Sequence, residues 1–355
     1  MSSGLDGVVA AETVLSHADR ERGMIWVRGV ALPELVARHG YEGAVALLWE
    51  GFAGDGLTRS SIGAELASAR VVAFDGLGSW LDGAARRPLA EGVRLCLATL
   101  PDDTAPVAIV ATLSVAVPAL LRAAHGNSPL PPDQTLTTAA DLLRMLHGRP
   151  ADEPSVAALD TYFAVMAESG LSGSSFTARV IASTRASLVC AALGAWCAFT
   201  GPLHGGAPGP TLDLLDALAD ADDMDGWIER KLLAGERLMG FGHRVFSGND
   251  PRAEAMRIAL RRMGPAAGRL VFAEQVERRV AAVVARVKPG RSLPANVEIA
   301  AALLLDAVGI PREAFTAVFA VSRCAGWLAH AMEQRQNGRM IRPISRYVGP
   351  VIATQ

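Results

Sequence analysis

Val107–Leu121 reads VAIVATLSVAVPALL, and Ser187–Phe199 reads SLVCAALGAWCAF. Both runs are apolar all round a helical wheel, and a helix of that kind is buried on every side. Neither reaches the ~20 residues that a membrane-spanning helix needs. In a water-soluble chain such helices lie at the centre of a helical body or are sealed by a second subunit, so an obligate oligomer is expected. Apolar residues also recur at three- and four-residue intervals in Tyr41–Glu50, Asp133–Leu146, Ser155–Glu168, Arg312–Glu333 and Thr177–Phe199, the last of which contains the second apolar run, and this predicts a helix over each range. Strand signals are sparse. MIWVRGV (Met24–Val30) after the polar run Asp19–Gly23 predicts one short N-terminal hairpin. There is no βαβ alternation and no repeat of 20–50 residues. The expected class is all-α with a minor N-terminal β-hairpin.

The remaining composition agrees with a globular chain. Of 355 residues, 50% are hydrophobic and 20% charged, which excludes an intrinsically disordered protein. The formal net charge of −2 argues against a chain whose main business is coating nucleic acid. The four cysteines, Cys96, Cys190, Cys197 and Cys324, form no C-x-x-C pair and have no histidine at metal-ligand spacing. Each is expected to be a buried, reduced thiol, and no metal site is expected. No basic region followed by an apolar run opens the chain, so a cytoplasmic setting is the expectation.

Glycine and proline punctuate three places: Gly201–Pro210, Met239–Arg244 and Pro289–Pro294. They divide off a segment of about a hundred residues before the apolar pattern returns at Arg312. The reading is a large domain of residues 1–204 and 310–355 and a smaller domain of 205–309, free to move on Gly-rich hinges.

Chemistry concentrates around the same punctuation. His204 in PLHGG and His243 in GFGHR stand beside glycines just before expected helices. A helix N-terminus disfavours imidazolium, so a histidine there can stay neutral and donate a hydrogen bond to a developing oxyanion. The plain alternative is two histidines that cap turns. Glu298 in Asn296-Val297-Glu298 opens the apolar run Ile299–Leu305; it is a candidate base if it faces a cavity, or an ordinary first-turn glutamate. Arg252 in DPRA, Arg323 in VSRCAGW and Arg342 in IRP are candidate carboxylate binders, and Arg323 lies in an apolar helix where it needs an anionic partner from the protein or from a substrate. Gly240-x-Gly242 matches neither a phosphate loop nor a dinucleotide fingerprint.

Together these segments resemble the citrate synthase family, including the 2-methylcitrate synthases, from end to end. LDGVVAAETVLSHADRERGMIWVRGVALPEL is similar to the family's N-terminal region and YEGAVALLWEG to its first long helix. GPLHGG, MGFGHRVF with DPRA, and VFAVSRCAGWLAHAMEQ with IRP resemble its active-site segments. The resemblance implies a homodimer with a large and a small, closing domain. It implies condensation of an acyl-CoA (acetyl- or propionyl-CoA) with a 2-oxo acid such as oxaloacetate, followed by thioester hydrolysis, with no permanently bound cofactor, nucleic acid or membrane partner. It casts His204 as the donor to the enol oxygen and His243 as the donor to the attacked ketone. Arg252, Arg323 and a cross-subunit Arg342 would hold carboxylates. The Gly240-Phe241-Gly242 turn and Arg244 would lie against coenzyme A.

Four positions depart from the family pattern. Glu298 stands where the family has its catalytic aspartate. Ser169 in AESGLSGSS stands in place of a substrate-binding histidine. Pro208 replaces an asparagine, and Ser247 a basic residue near CoA. These changes allow two alternatives: a paralogue with another oxo acid or the cleavage direction, or a weakly catalytic CoA-ester-binding or regulatory subunit.

Overall fold

The computed structural model describes residues 3–5, 7–19, 22–206, 208–242, 250–264 and 268–350. The N-terminal region forms a three-stranded antiparallel meander, β1 (Ser16–Asp19), β2 (Met24–Val27) and β3 (Val30–Ala31). The sequence reading ran one strand through Val30. The chain instead reverses at Arg28-Gly29, both at positive φ (50° and 83°), the conformation of a tight hairpin turn. Arg28 is held in this costly backbone region from its side chain, which donates to Glu50 O at 2.9 Å and lies over the Phe52 ring.

Everything else among the described residues that is regular is helical. The 19-residue Pro106–Ala124 helix extends the Val107–Leu121 reading to a length that could cross a membrane, but Ile109 through Leu121 are all buried inside the protein. It packs against the Arg59–Asp75, Leu89–Ala98, Thr138–His147 and Phe315–Asn337 helices. Its Thr112 and Ser114 hydroxyls bond back to carbonyls of their own helix, so an apolar core tolerates them.

Three boundaries differ from the periodicity. Thr177–Phe199 is two helices, Gly173–Ser183 and Leu188–Phe199. The break falls where Arg185 takes φ 70° and Ser187 caps the second helix, its hydroxyl accepting from Cys190 N at 3.1 Å. Apolar spacing does not register such a cap. Asp133–Leu146 becomes helical only at Thr138, after the Thr137 cap. Ser155–Glu168 ends at Met166, so Glu168 and Ser169 leave the helix and enter a turn at Gly170.

The Leu188–Phe199 helix also corrects the cysteine reading. Cys96 and Cys324 are buried, but Cys190 and Cys197 are exposed. Two turns apart on one helix, they share its outer side while Val189, Ala192, Ala195 and Trp196 face inward.

The Phe315–Asn337 helix, 23 residues long and buried from Ala317 to Gln334, forms the centre. It crosses the end of the Glu153–Met166 helix at Gly326, where a Cβ would stand 2.2 Å from Ala167 O. Only glycine permits that approach, which brings Arg323 beside the Met166–Ser172 turn.

Candidate active site

Six stretches of the chain meet around a cavity of about 320 Å³. Met166, Ser169 and Ser172 come from one turn and Leu203 and His204 from the next. Gly242, Arg252, Asn296, Val297 and Glu298 close one side, and Phe319 and Arg323 the floor.

His204 is fixed by its backbone and by its ring. The PLHGG turn folds back, with His204 N donating to Gly201 O and Gly205 N to Phe199 O, each at 2.9 Å. The ring stands edge-on to Phe199 at 5.0 Å between centroids. Ser174 N donates to His204 Nε2 at 3.3 Å, and the Ser174 hydroxyl lies 2.8 Å from the same nitrogen. That hydroxyl accepts from Trp327 Nε1 at 3.0 Å, which leaves its own proton for the imidazole. Nε2 is therefore an acceptor, and the neutral ring carries its proton on Nδ1. Burial, then the Arg323 charge, push the His204 pKa down to about 4, so the ring is neutral at physiological pH.

Glu298 sits in the first turn of the Val297–Ala307 helix. Asn296 caps that helix, its Oδ1 accepting from Glu298 N at 2.9 Å. The same asparagine ties the helix start to the glycine turn: its Nδ2 donates to Gly242 O at 3.1 Å and its backbone N to Gly240 O at 2.9 Å. Phe241 bridges Ala295, and Gly242 N donates to Pro294 O at 2.8 Å. Gly240 has φ 82°, and a Cβ there would meet Ile299 and Thr211 at 2.7 and 2.8 Å. Gly240 and Phe241 thus brace the helix that carries Glu298, while Gly242 reaches the cavity wall. Burial pushes the Glu298 carboxyl up to about 7, even though Arg252 and Arg323 pull it down. Its Oε2 is buried with no hydrogen-bond partner.

Arg252 follows the Asp250-Pro251 start of the Pro251–Arg262 helix. Asp250 grips the guanidinium at Nε (3.0 Å) and Nη2 (2.7 Å), and Nη1 donates to the Ser169 hydroxyl. Arg323 Nε donates to Met166 O at 2.6 Å and its fork lies over Phe319, 4.9 Å from the ring centre. Among the described residues no carboxylate lies within 4.0 Å of it; Glu168 and Glu298 act on it from further away. Burial brings its pKa down to about 10, so it stays cationic. The anionic partner expected from the sequence is therefore not an ion-paired side chain here, and a cation faces the cavity.

The structure unites His204, Glu298, Ser169, Arg252, Arg323 and Gly242. His243, Arg244 and Ser247 lie outside the described residues. Arg342 is exposed in the C-terminal stretch and does not line the cavity. Pro208 opens the Pro208–Ala219 helix. Sequence reasoning missed Ser174, Trp327 and Asp250. The last was legible, because Asp-Pro is a helix-start signature and the helix begins at Pro251. It also missed a buried network behind the site. Arg179 Nε donates to His330 Nδ1 at 2.9 Å, which places the ring proton on Nε2, 3.2 Å from Glu168 Oε1. Arg179 also reaches Glu333, and Glu333 accepts from Thr13 Oγ1 and Val14 N.

Residues 4–344 match the citrate synthase C-terminal domain family. The chain belongs to the citrate synthase family. It is 36% identical to a putative citrate synthase 2 of Mycobacterium tuberculosis over 98% of this chain and 92% of that protein. It is 32% identical to the citrate/2-methylcitrate synthase of Bacillus subtilis over 100% and 98%. The crystal structure of citrate synthase from Thermotoga maritima superposes with a TM-score of 0.87 at 26% identity, covering 100% of this chain and 98% of that one. A Thermoplasma acidophilum citrate synthase, solved as a ternary complex with carboxymethyl coenzyme A and oxaloacetate, shares the fold (TM-score 0.86, 21% identity, covering 100% and 98%).

Proposed function

We propose that this citrate synthase family member joins acetyl-CoA or propionyl-CoA to a 2-oxo acid such as oxaloacetate and then hydrolyses the thioester, releasing coenzyme A. The observation that carries the reading is one cavity holding a carboxyl with a pKa near 7, a neutral imidazole and an arginine with no carboxylate paired to it among the described residues. The carbon next to a thioester is a weak acid. Its proton must leave for a base while a donor supports the negative charge that builds on the thioester oxygen. Glu298 is the base, matched in pKa to neutral solution. His204 Nδ1–H is the donor, and a neutral donor does not give its proton away prematurely. The resulting enol attacks the ketone carbon of the oxo acid, whose carboxylate rests on Arg323 and Arg252. His243 polarises that ketone, and Arg244 with the Gly240–Gly242 turn lies along coenzyme A. Arg342 comes from the second subunit of a homodimer, and the 205–309 segment closes over both substrates.

Ser169 favours one refinement. A serine hydroxyl bonded to Arg252 replaces a histidine that could meet a carboxylate, so a dicarboxylic oxo acid loses a contact. The test is thiol release from acetyl-CoA and propionyl-CoA against a panel of 2-oxo acids. Turnover with at least one pair supports the reading. No thiol release and no deuterium exchange at the acyl carbon with any oxo acid favours a CoA-ester-binding subunit.

A further inference from the structure

Besides Glu298 Oε2, the Tyr162 hydroxyl is a buried polar atom near the cavity with no hydrogen-bond partner. Tyr162 is fully buried on the Glu153–Met166 helix, one turn before the cavity residue Met166. Its ring packs against Phe163 and, edge-on at 6.2 Å, against Phe319 of the cavity floor. The charge that acts most strongly on its hydroxyl is Glu298, followed by Arg323. A buried donor and a buried acceptor left unpaired each cost the full desolvation of the group, which is why such atoms rarely stay alone. Here the two are complementary: a phenol donates and a carboxylate oxygen accepts. Arg323 does not fill the role, because its Nε is spent on Met166 O and, among the described residues, no carboxylate lies within ion-pair distance.

We propose that Tyr162 is the positioning residue of Glu298, its hydroxyl donating to Oε2 so that Oε1 is left to take the proton from the acyl carbon. The two atoms are not bonded to each other in the structure, so the bond forms when the glutamate side chain turns toward the phenol. The inference rests on the reading of Glu298 as the base. A carboxylate acts as a base through one oxygen, and anchoring the other sets the direction of the free lone pairs. The charged groups that face Glu298 are Arg252 and Asp250 from the Pro251–Arg262 helix start and Arg323 from the Phe315–Asn337 helix. All three remain when only the Tyr162 oxygen is removed.

The test is a carboxyl titration of the full chain, with glutamate labelled at the side-chain carboxyl carbon and read by NMR. Glu298→Gln identifies the resonance. Because the readout is not turnover, a chain with no condensation activity still gives an answer. A hydrogen bond to the ionised form lowers a pKa, so Tyr162→Phe moves the Glu298 midpoint up by about one pH unit. Phenylalanine keeps the ring packing, and a residue that only fills space leaves the midpoint where it was; an unmoved midpoint overturns the proposal. A second arm needs no deletion. Incorporating 3-fluorotyrosine, whose hydroxyl is a stronger donor, lowers the midpoint if the bond exists and leaves it unchanged if it does not. Stability gives a third reading. Removing an unpartnered buried hydroxyl is neutral or stabilising at every pH, whereas removing a donor to Glu298 destabilises more at pH 8, where the carboxyl is charged, than at pH 5.

Discussion

Glu298→Gln separates the cost of a buried base from its use. In the folded chain burial holds this carboxyl at about 7, against an ordinary 4.5. Because the folded-state value is raised, folding favours the protonated form. The stabilising effect is fully present below pH 4.5 and is lost as the pH rises through 7. Moving the midpoint from 4.5 to about 7 corresponds to about 3 kcal/mol. Glutamine has no proton to lose, so the variant escapes this penalty. Urea unfolding of both proteins at pH 4.5 and pH 8 measures it. The stability of the variant relative to the native chain rises by about 3 kcal/mol between the two, whatever constant offset the amide introduces. The same carboxyl governs rate. With a midpoint near 7, roughly a tenth of the base is ionised at pH 6 and nine-tenths at pH 8, so turnover climbs about ninefold and then levels. His204, down at about 4, stays neutral throughout and contributes no limb. The variant loses exchange of the acyl-CoA α-proton at every pH. A stability difference that is flat with pH refutes the buried-base argument, and exchange that persists undiminished in Glu298→Gln moves the base to another residue.

Three further outcomes follow from the same cavity. His204→Ala lowers kcat by on the order of 10²–10³, the effect of losing one oxyanion donor, while circular dichroism stays native because the residue lies in a turn; unchanged turnover returns it to a turn-capping role. Ser169→His strengthens oxaloacetate binding at least ~10-fold in calorimetry by restoring a donor to a carboxylate, and equal or weaker binding shows that the native pocket has been rebuilt around serine. Sedimentation at micromolar concentration finds a dimer and no folded monomer, and Arg342→Ala weakens oxo-acid binding without dissociating it; a stable monomer of 37.1 kDa removes the proposed role of Arg342.

Much of this protein was legible without coordinates. The helical class followed from apolar spacing, which reports the face a helix buries. The cavity residues His204, Arg252, Glu298 and Arg323 were marked by local chemistry: histidine beside glycine, arginine after Asp-Pro, glutamate at a helix cap, a guanidinium in an apolar run. Each of these signals sits within a few residues. Where the reading failed, the deciding interaction was also local but silent in the hydrophobic pattern, as at the Ser187 cap that splits Thr177–Phe199 and the Arg28-Gly29 turn that adds β3.

Only the tertiary structure could assign states to those residues. The neutral Nδ1–H form of His204 depends on Ser174, thirty positions earlier in the chain, and on Trp327 behind it. The partner of Ser169 is Arg252, 83 positions away. The raised carboxyl of Glu298 comes from burial that six separate stretches of chain create together, and the crossing at Gly326 sets Arg323 against the Met166 carbonyl. A sequence names which groups are available to carry a charge. Desolvation and hydrogen bonding decide whether they do, and both depend on which distant parts of the chain are packed around them.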